Sequence, residues 1–571
     1  MLKSKPKDVG HWWANHDTPV HTSDSRVSYL IDGRSALFSL CCAFLKARSS
    51  IYLANWGVTA ELELVRGKDH RAGPDGSPEQ NALLALLRTK GLQDEDIAFW
   101  CTHQLSVEEV LGYAVSRGVD VKVLLWNSLP IPVYSHSNPR LACEVLRKVG
   151  VTCLLDNSAR GILHHPAESL HQKLAIIDNY WSFVGGIDPM VEKESEFDRW
   201  DTSSHPFFTS LRQTAEGVTP HPWHDIQALI EGSATADVAY NFRQRWNAVV
   251  KRYERWQILP KRRRYYQHLH VEAGDTPLVV GKSTKIVQIA RTIPRHTYHF
   301  QPKVVQGIAQ LYRQSLRNAQ HFIYLENQYL WVRAYTGLDI PFLGRDNQEM
   351  EQIIQELVAA LHRGVRVVLV LPDHPAPGRA FSDASITRIR REAPKAVTEG
   401  HFRVFCLGTS MRQTDGEHYR PIYVHAKVAL IDDLWTTIGS ANLNNRGLRD
   451  DTEINVATLD PELACSLRLR LWAEHLGLLN DDELFSLNLF LQQPGPARQS
   501  IEIEGIWQNI QEILQDPLQG MRMMEQQAWE NVQAYKARQP LQGHLVPYLL
   551  EDEARQQGLP FREAHGWLEE E

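Results

Sequence analysis

Two stretches of this chain share one succession of apolar and polar positions. In VEEVLGYAVSRGVDVKVLLW, residues 107–126, apolar side chains recur at helical spacing, Gly118 stops the run, and alternating then continuous apolar residues follow as a strand. MEQIIQELVAALHRGVRVVLVLP, residues 350–372, repeats that pattern. Upstream of each lies a short apolar run, IYLANW at 51–56 and IYLENQ at 323–328. Downstream of each lies a branched apolar run, LAII at 174–177 and VALI at 428–431. Three blocks recurring in one order at similar spacing indicate a duplicated unit of domain size, with insertions in different loops, rather than a short-period solenoid. Each unit reads as strand, helix, strand, strand, so the expected fold class is α/β, with two sandwich lobes of helices about a β core. The expected boundaries are an arm over 1–26, a first lobe over 27–260, a linker over 261–284, a second lobe over 285–490 and a helical extension over 491–571.

In the extension, after PGP at 494–496, Ile503, Ile506, Trp507, Ile510, Ile513 and Leu514 have helical spacing and Pro517 ends the run. A second, glutamine-rich helix is expected over about 520–538. Docking on the body is the expectation for both helices, with a partner or a lipid surface as alternatives.

Length and composition narrow the class. With 571 residues and 43% hydrophobic content the chain has material for two large cores. No apolar stretch approaches the roughly 18 residues of a membrane span. The charged N-terminus, MLKSKPKDVG, lacks the apolar core of a signal peptide, so a cytoplasmic protein is expected, with export by a signal-less route as the alternative. The seven cysteines, without C-x-x-C, are read as buried thiols rather than a disulfide frame or zinc site. A net charge of −7 weighs against general nucleic-acid binding, which needs a basic surface. Lys261, Arg262, Arg263 and Arg264, followed by Tyr265 and Tyr266, are a local exception. A solvated linker is the plainer reading of that run, and contact with an anionic membrane is the other.

The chemistry lies in H-x-K-x-x-x-x-D, which occurs twice: His171, Lys173 and Asp178, then His425, Lys427 and Asp432. Gly185-Gly186 and Gly439-Ser440 follow at matching positions. Side chains two apart on a strand share a face, so each histidine stands beside its lysine. A neutral imidazole beside a fixed ammonium can attack, or pass a proton to, a group whose negative charge the lysine holds; phosphate is the natural candidate. Asp178 and Asp432, at odd offsets from the lysines, are expected to fix the turn after the strand. A reactive histidine needs an acceptor on its other ring nitrogen. The strands that follow the two motifs supply Asp225 in WHDIQALIEG and Glu453 in DTEINVATLD, with Asp201 as the competitor in the first half. His164, His165 and His475 are read as packed or hydrogen-bonded. Glu326, Asn327 and Gln328 are read either as support for the cleft wall or as a strand-end turn.

With the paired motifs go GGID at 185–188, DRWDT at 198–202, PWHD at 222–225, NFRQRWN at 241–247, IYLENQYL at 323–330, GSANLNNR at 439–446 and LRLWAEHLG at 469–477. On these residues the chain resembles the phospholipase D superfamily, and within it the branch of eukaryotic-type phospholipases D and their bacterial relatives. The resemblance implies two lobes related by a pseudo-twofold axis, a metal-independent site at their interface, no cofactor, and a covalent phosphohistidine. It implies His171 as nucleophile and His425 as general acid and base, although the sequence itself does not break that symmetry. Lys173 and Lys427 would hold the nonbridging oxygens, assisted by Asn442 and Ser440. Asp188 stands where the second copy has Asn442, and a carboxylate should not face phosphate, so that role is not carried over to it. PMVEKESEFDRWDT departs from the family's usual run after GGID and reshapes the mouth on that side. The implied reaction is hydrolysis of a glycerophospholipid to phosphatidic acid and its head-group alcohol, with transfer to another alcohol also open. The implied partners are a phospholipid substrate and a membrane surface touched by the catalytic body or the tail, with no nucleic acid. Phosphatidyl transfer as in cardiolipin synthases, a nuclease of the same superfamily and a noncatalytic lipid-binding scaffold are the rival readings.

Overall fold

The computed structural model describes residues 12–568 apart from 16, 23, 71–77, 128–138, 157–168, 193–196, 214–219, 277–285, 296, 299–300, 302, 334–347, 376–378, 494–499 and 564. His164, His165 and the centre of the acidic insertion at 193–196 lie outside the described residues.

The first sheet has seven strands: β1 (Ser25–Ile31), β2 (Ser50–Asn55), β3 (Asp120–Trp126), β4 (Thr152–Asp156), β5 (Lys173–Ile177), β6 (Trp181–Gly185) and β7 (Ile226–Gly232). Its order is β1-β7-β6-β5-β2-β3-β4. The second sheet contains β8 (Ile286–Ile293), β9 (Phe322–Asn327), β10 (Arg366–Val370), β11 (Phe402–Gln413), β12 (Lys427–Ile431), β13 (Trp435–Gly439) and β14 (Glu453–Leu459). These run in the order β8-β14-β13-β12-β9-β10-β11, which is the first order with seven added to each strand. Within these two seven-strand orders three strands are parallel, β2-β3-β4 and β9-β10-β11, and the other neighbours are antiparallel. The duplication read from the sequence is therefore a duplication of whole sheets.

The apolar runs behave as their composition demands. Every residue of β5 and of β12 is buried, because neither face meets solvent: alternate residues of both strands enter the core that the two sheets share. The helices that position the site are α1 (Asp32–Lys46), α2 (Val107–Ser116), α3 (Thr235–Arg255), α4 (Pro260–Gln267), α5 (Gly307–Asn318), α6 (Gln348–His362) and α7 (Pro461–His475). The extension adds α8 (Ile501–Leu514) and α9 (Pro517–Lys536). At the start of α2 the Ser106 hydroxyl accepts from the Glu109 amide while the Glu109 carboxylate accepts from the Ser106 amide, a capping box. Just past the ends of α2 and α6, Gly118 and Gly364 take φ of 84° and 87°, the left-handed conformation that glycine adopts without penalty.

Three findings go beyond the pattern or correct it. Trp12, Trp13 and Ala14 are buried in the second lobe's core, and Val20–His21 pairs with β8 at the edge of the second sheet. The extension docks on the body: Ile510, Leu514, Met521 and Met524 join the core beside α7, and Leu545–Pro547 adds to β11. The cysteine reading is corrected in part. Cys143 and Cys153 form a disulfide, because a short turn sets the helix over Pro139–Lys148 beside β4 with Cα atoms 5.4 Å apart. Of the other five, Cys41, Cys42, Cys101 and Cys406 are buried and Cys465 is half-buried.

Asp178 and Asp432 sit in the turns after β5 and β12, with φ of 53° and 56°. The Asp178 carboxylate accepts from the amides of Arg48, Ser49 and Ser50, and that of Asp432 from those of Gln320, His321 and Phe322. Each aspartate thus ties the end of one strand to the start of its neighbour. Asp432→Ala leaves three backbone amides without their acceptor and places a residue without a compensating side chain in a left-handed turn. We expect a loss of about 2 kcal/mol or more, with Asp432→Asn less affected, as read by urea unfolding.

Candidate active site

The two lobes meet through short strand pairs that cross between them. Residues 169–171 run beside Thr452: the Thr452 amide donates to the Ser169 carbonyl at 2.9 Å and the His171 amide to the Thr452 carbonyl at 3.1 Å. On the other side Trp223–His224 pairs in parallel with residues 423–424, and the His425 amide donates to the His224 carbonyl at 2.8 Å. The backbone before each motif is therefore bonded to the backbone before the other lobe's acidic strand.

That crossing decides which carboxylate meets which imidazole. His171 Nδ1 lies 2.8 Å from Glu453 Oε1, and His425 Nδ1 lies 2.6 Å from Asp225 Oδ2. Each acid is supplied by the opposite lobe. This corrects the expectation that each motif's own following strand serves its own histidine. Asp201, the competitor, is bound to Arg212, to His205 Nδ1 and to the Trp223 amide. With Nδ1 engaged on both rings, Nε2 is the nitrogen left to face a reactant.

The lysines stand as the strand geometry predicts. Lys173 pairs across the sheet with Asn55 and Lys427 with Asn327, and each ammonium donates back to the carbonyl of its own motif's histidine. Their other partners differ. Lys173 Nζ is 3.3 Å from the Asp188 carboxylate, which also accepts from Asn55 Nδ2 at 3.1 Å. Lys427 Nζ meets the neutral amide oxygen of Gln328 at 3.3 Å, and Asn442 Nδ2 reaches that oxygen at 3.1 Å. Asp188, set aside in the sequence, is the first lysine's counter-ion. Gln328, read as cleft wall or turn, touches the second lysine, while the Asn327 Oδ1 accepts from the Leu443 amide at 3.0 Å.

Burial and crowding of cations set the protonation. Burial, reinforced by Lys173 and Lys427, holds His171 well below the usual imidazole range. Burial, with Lys427, Arg199 and Lys173, does the same to His425. Lys427 is pushed down to about 7 by burial and by Lys173, against the pull of Asp225. The two motifs thus lie within one another's field, and the resting site favours neutral imidazoles.

Glycine and serine at the matching positions are fitted to unlike acids. A Cβ on Gly186 would stand 2.0 Å from Asp225 Oδ1, so only glycine leaves room for that carboxylate. At the equivalent place the Ser440 hydroxyl donates to Glu453 Oε2 and accepts from the Ile454 amide at 3.1 Å. Ser440 therefore supports the acid, which differs from the expected role on phosphate.

Beneath the second motif lies a fully buried network that sequence reasoning reduced to isolated residues. His224 bonds Asp32 at 3.1 Å and Glu474 at 3.0 Å through Nδ1, and Glu326 at 2.9 Å through Nε2. His205 bonds Glu474 at 2.9 Å, and His475 bonds Glu326 at 3.0 Å. Asp32, His205, His224 and Glu474 are ligand types that suit a metal ion, but these separations are those of imidazole–carboxylate hydrogen bonds. Glu326 is thus a buried acceptor and not a strand-end turn. Trp56 and Trp223 were also missed as site residues. Their rings lie 6.2 Å from His171 and 4.6 Å from His425, and their signals were the repeated IYLANW block and the PWHD segment.

A family model described as phospholipase D matches residues 43–360, more than half of the chain, and one described as cardiolipin synthase, PLD-like domain, matches residues 312–472. The chain belongs to the phospholipase D superfamily. It is similar to phospholipase D alpha 1 of Zea mays, 24% identical over 561 residues that cover 77% of this chain and 63% of that protein. It is also similar to phospholipase D alpha 1 of Arabidopsis thaliana, 25% identical over 559 residues with the same coverage. The chain thus spans less than two thirds of the length of these relatives. Among solved structures, phosphatidylserine synthase of Haemophilus influenzae Rd KW20 is similar with a TM-score of 0.43 and 14% identity, over 87% of this chain and 94% of that one.

The fit between residues 186 and 225 is testable. Gly186→Ser alone should displace Asp225 and lower turnover by roughly a hundredfold. Adding Asp225→Glu, which copies the second half's pairing, should restore much of it. Steady-state rates on a soluble phosphodiester read both effects, with circular dichroism as the check on folding.

Proposed function

We propose that this protein is a phosphodiesterase of the phospholipase D type that hydrolyses glycerophospholipids to phosphatidic acid and the head-group alcohol. The observation that carries the reading is the pair of histidines, each held through Nδ1 by a carboxylate of the other lobe, with a buried lysine beside each. Such an arrangement suits one phosphodiester bound between them.

In the proposed reaction His171 Nε2 attacks phosphorus and the bond from phosphorus to the head-group oxygen breaks. His425, doubly protonated once the anionic diester lies against it and with its Nδ1–H on Asp225, gives its Nε2 proton to that oxygen, and the neutral alcohol leaves. His425 Nε2 then takes a proton from water, the resulting hydroxide attacks phosphorus, and the P–N bond to His171 breaks to release phosphatidic acid. Lys173, Lys427 and Asn442 hold the nonbridging oxygens as charge grows on them. Asp188 limits the positive charge on the first side, so the net pull falls toward Lys427. A primary alcohol in place of water would give transfer. The match of residues 312–472 to the cardiolipin synthase model keeps phosphatidyl transfer as the second reading.

The test is incubation of the purified protein and of His171→Ala with mixed phospholipid vesicles and a primary alcohol, followed by analysis of the lipids. Phosphatidic acid and the phosphatidyl alcohol are expected from the parent alone, and equal products from both would remove His171 as nucleophile. Turnover of single-stranded DNA without lipid products would establish a nuclease. Glu453→Gln should lower turnover by about 10³ to 10⁴, because an amide no longer stabilises the working tautomer of His171.

The protonation of Lys427 gives a signed pH prediction. Its ammonium is needed for phosphate and its pKa lies at about 7, so raising the pH through that value should lower kcat/KM as the charge is lost. The acid limb, where His171 takes up a proton and can no longer attack, should lie well below the ordinary imidazole value, since burial and the nearby lysines depress His171. A kcat/KM profile that stays flat from neutral into mildly alkaline pH would contradict this role for Lys427.

A further inference from the structure

The helical hairpin α3–α4 ends in a turn that displays apolar side chains to solvent. Trp256 is 81% exposed, Ile258 96% and Leu259 59%. Three such neighbours contribute little to the core, and their exposure opposes solubility. The basic run follows at once, with Lys261, Arg262, Arg263 and Arg264 all exposed. Glu254 is the one acidic residue between positions 251 and 271, against seven lysines and arginines, and it is engaged with Arg263 at 3.2 Å.

The hairpin is held rigidly. Trp246 Nε1 donates to the Leu269 carbonyl at 2.7 Å, Asn247 bonds both backbone groups of Val271 at 2.9 Å, and the Tyr253 and Tyr266 rings stack at 5.4 Å. Its position relative to the site follows from the strands. The parallel strands β2 and β4 end at Asn55 and Asp156, so both ends lie at one edge of the first sheet, and Asn55 is the partner of Lys173. Tyr253 Oη donates to the Leu155 carbonyl at 3.1 Å and Arg252 lies 3.7 Å from Asp156, at that same edge. Further back along α3, Asn241 bonds Gln172, which sits between His171 and Lys173. The helix therefore runs from the motif to the exposed turn, about 22 Å from residue 241 to residue 256 at 1.5 Å per residue.

We propose that residues 256–264 are a bilayer-contact tip, in which Trp256, Ile258 and Leu259 enter the headgroup region while Lys261, Arg262 and Arg264 hold anionic lipid phosphates. The chemistry is that of interfacial anchoring, in which an aromatic ring and aliphatic side chains bury at the boundary and a basic cluster gains from the negative surface. The purpose assigned to the tip rests on the lipid reading above, because the tip would bring a bilayer to the edge where His171 and Lys173 stand. Its test does not rest on that reading.

The test is flotation of the full chain with vesicles of phosphatidylcholine alone and of phosphatidylcholine with phosphatidylglycerol. The parent should float with the anionic vesicles, weakly with the neutral ones, and less as salt rises. Trp256→Ser with Ile258→Ser, and separately Arg262→Glu with Arg264→Glu, should each weaken binding on the order of tenfold or more while leaving hydrolysis of a soluble diester unchanged. A parent that does not bind anionic vesicles, or variants that float as the parent does, would overturn the proposal. If the parent binds but releases no phosphatidic acid, the tip stands and the lipid hydrolysis falls.

Discussion

Everything at the candidate site depends on two imidazole–carboxylate bonds that cross between lobes. A histidine can offer Nε2 to a reactant only when Nδ1 has a partner that fixes ring and tautomer. Here neither lobe holds the partner of its own histidine. Glu453 reaches His171 because the Thr452 backbone is paired with 169–171, and Asp225 reaches His425 because Trp223–His224 is paired with 423–424. Separating the lobes would break both reactive groups at once. This gives a physical reason for the duplication to remain in one chain with the sheets packed together: Tyr29 of β1 bonds Thr436 and Thr458 of the second sheet, and apolar residues of both sheets share one core.

The second constraint is the cost of burying cations. Two lysines placed almost wholly out of water require compensation, and the halves supply it differently. Asp188 neutralises Lys173, whereas Lys427 has the Gln328 amide oxygen, a backbone carbonyl and the fields of Asp225 and Glu453. The pseudo-symmetry of the sheets is thus broken where the chemistry is, by Asp188 against Asn442 and by Gly186 against Ser440. A phosphodiester, carrying negative charge, would supply what the buried lysine on the second side lacks.

Around this centre the polar network of His205, His224, Glu326, Glu474 and His475 acts as a scaffold. It binds α1, β9, α7 and the segment before β7 into one buried unit, and His224 within it accepts the amide of His425. Such a network is costly unless nearly every member is bonded, which gives it a defined geometry. Residues from four distant parts of the chain therefore fix the position of a single imidazole.

How much of this was legible in the chain follows from the range of the forces involved. The repeat, the strands that begin at the two motif lysines, the helix stops at Gly118 and Gly364 and the turn aspartates are local patterns, and they could be read without a fold. The four motif residues and both acids, Asp225 and Glu453, were recognisable for the same reason, since each sits on a strand or within two residues of its start. What no local pattern contains is which acid serves which histidine. That assignment depends on hydrogen bonds between segments 200 and 282 residues apart. The roles of Asp188 and Gln328, the Cys143–Cys153 bond, the second-sheet strand at 20–21 and the exposure of Trp256 likewise depend on neighbours that are distant or ambiguous in sequence. Alternating hydrophobicity encodes which face a residue shows, and only the packed tertiary structure decides what that face meets.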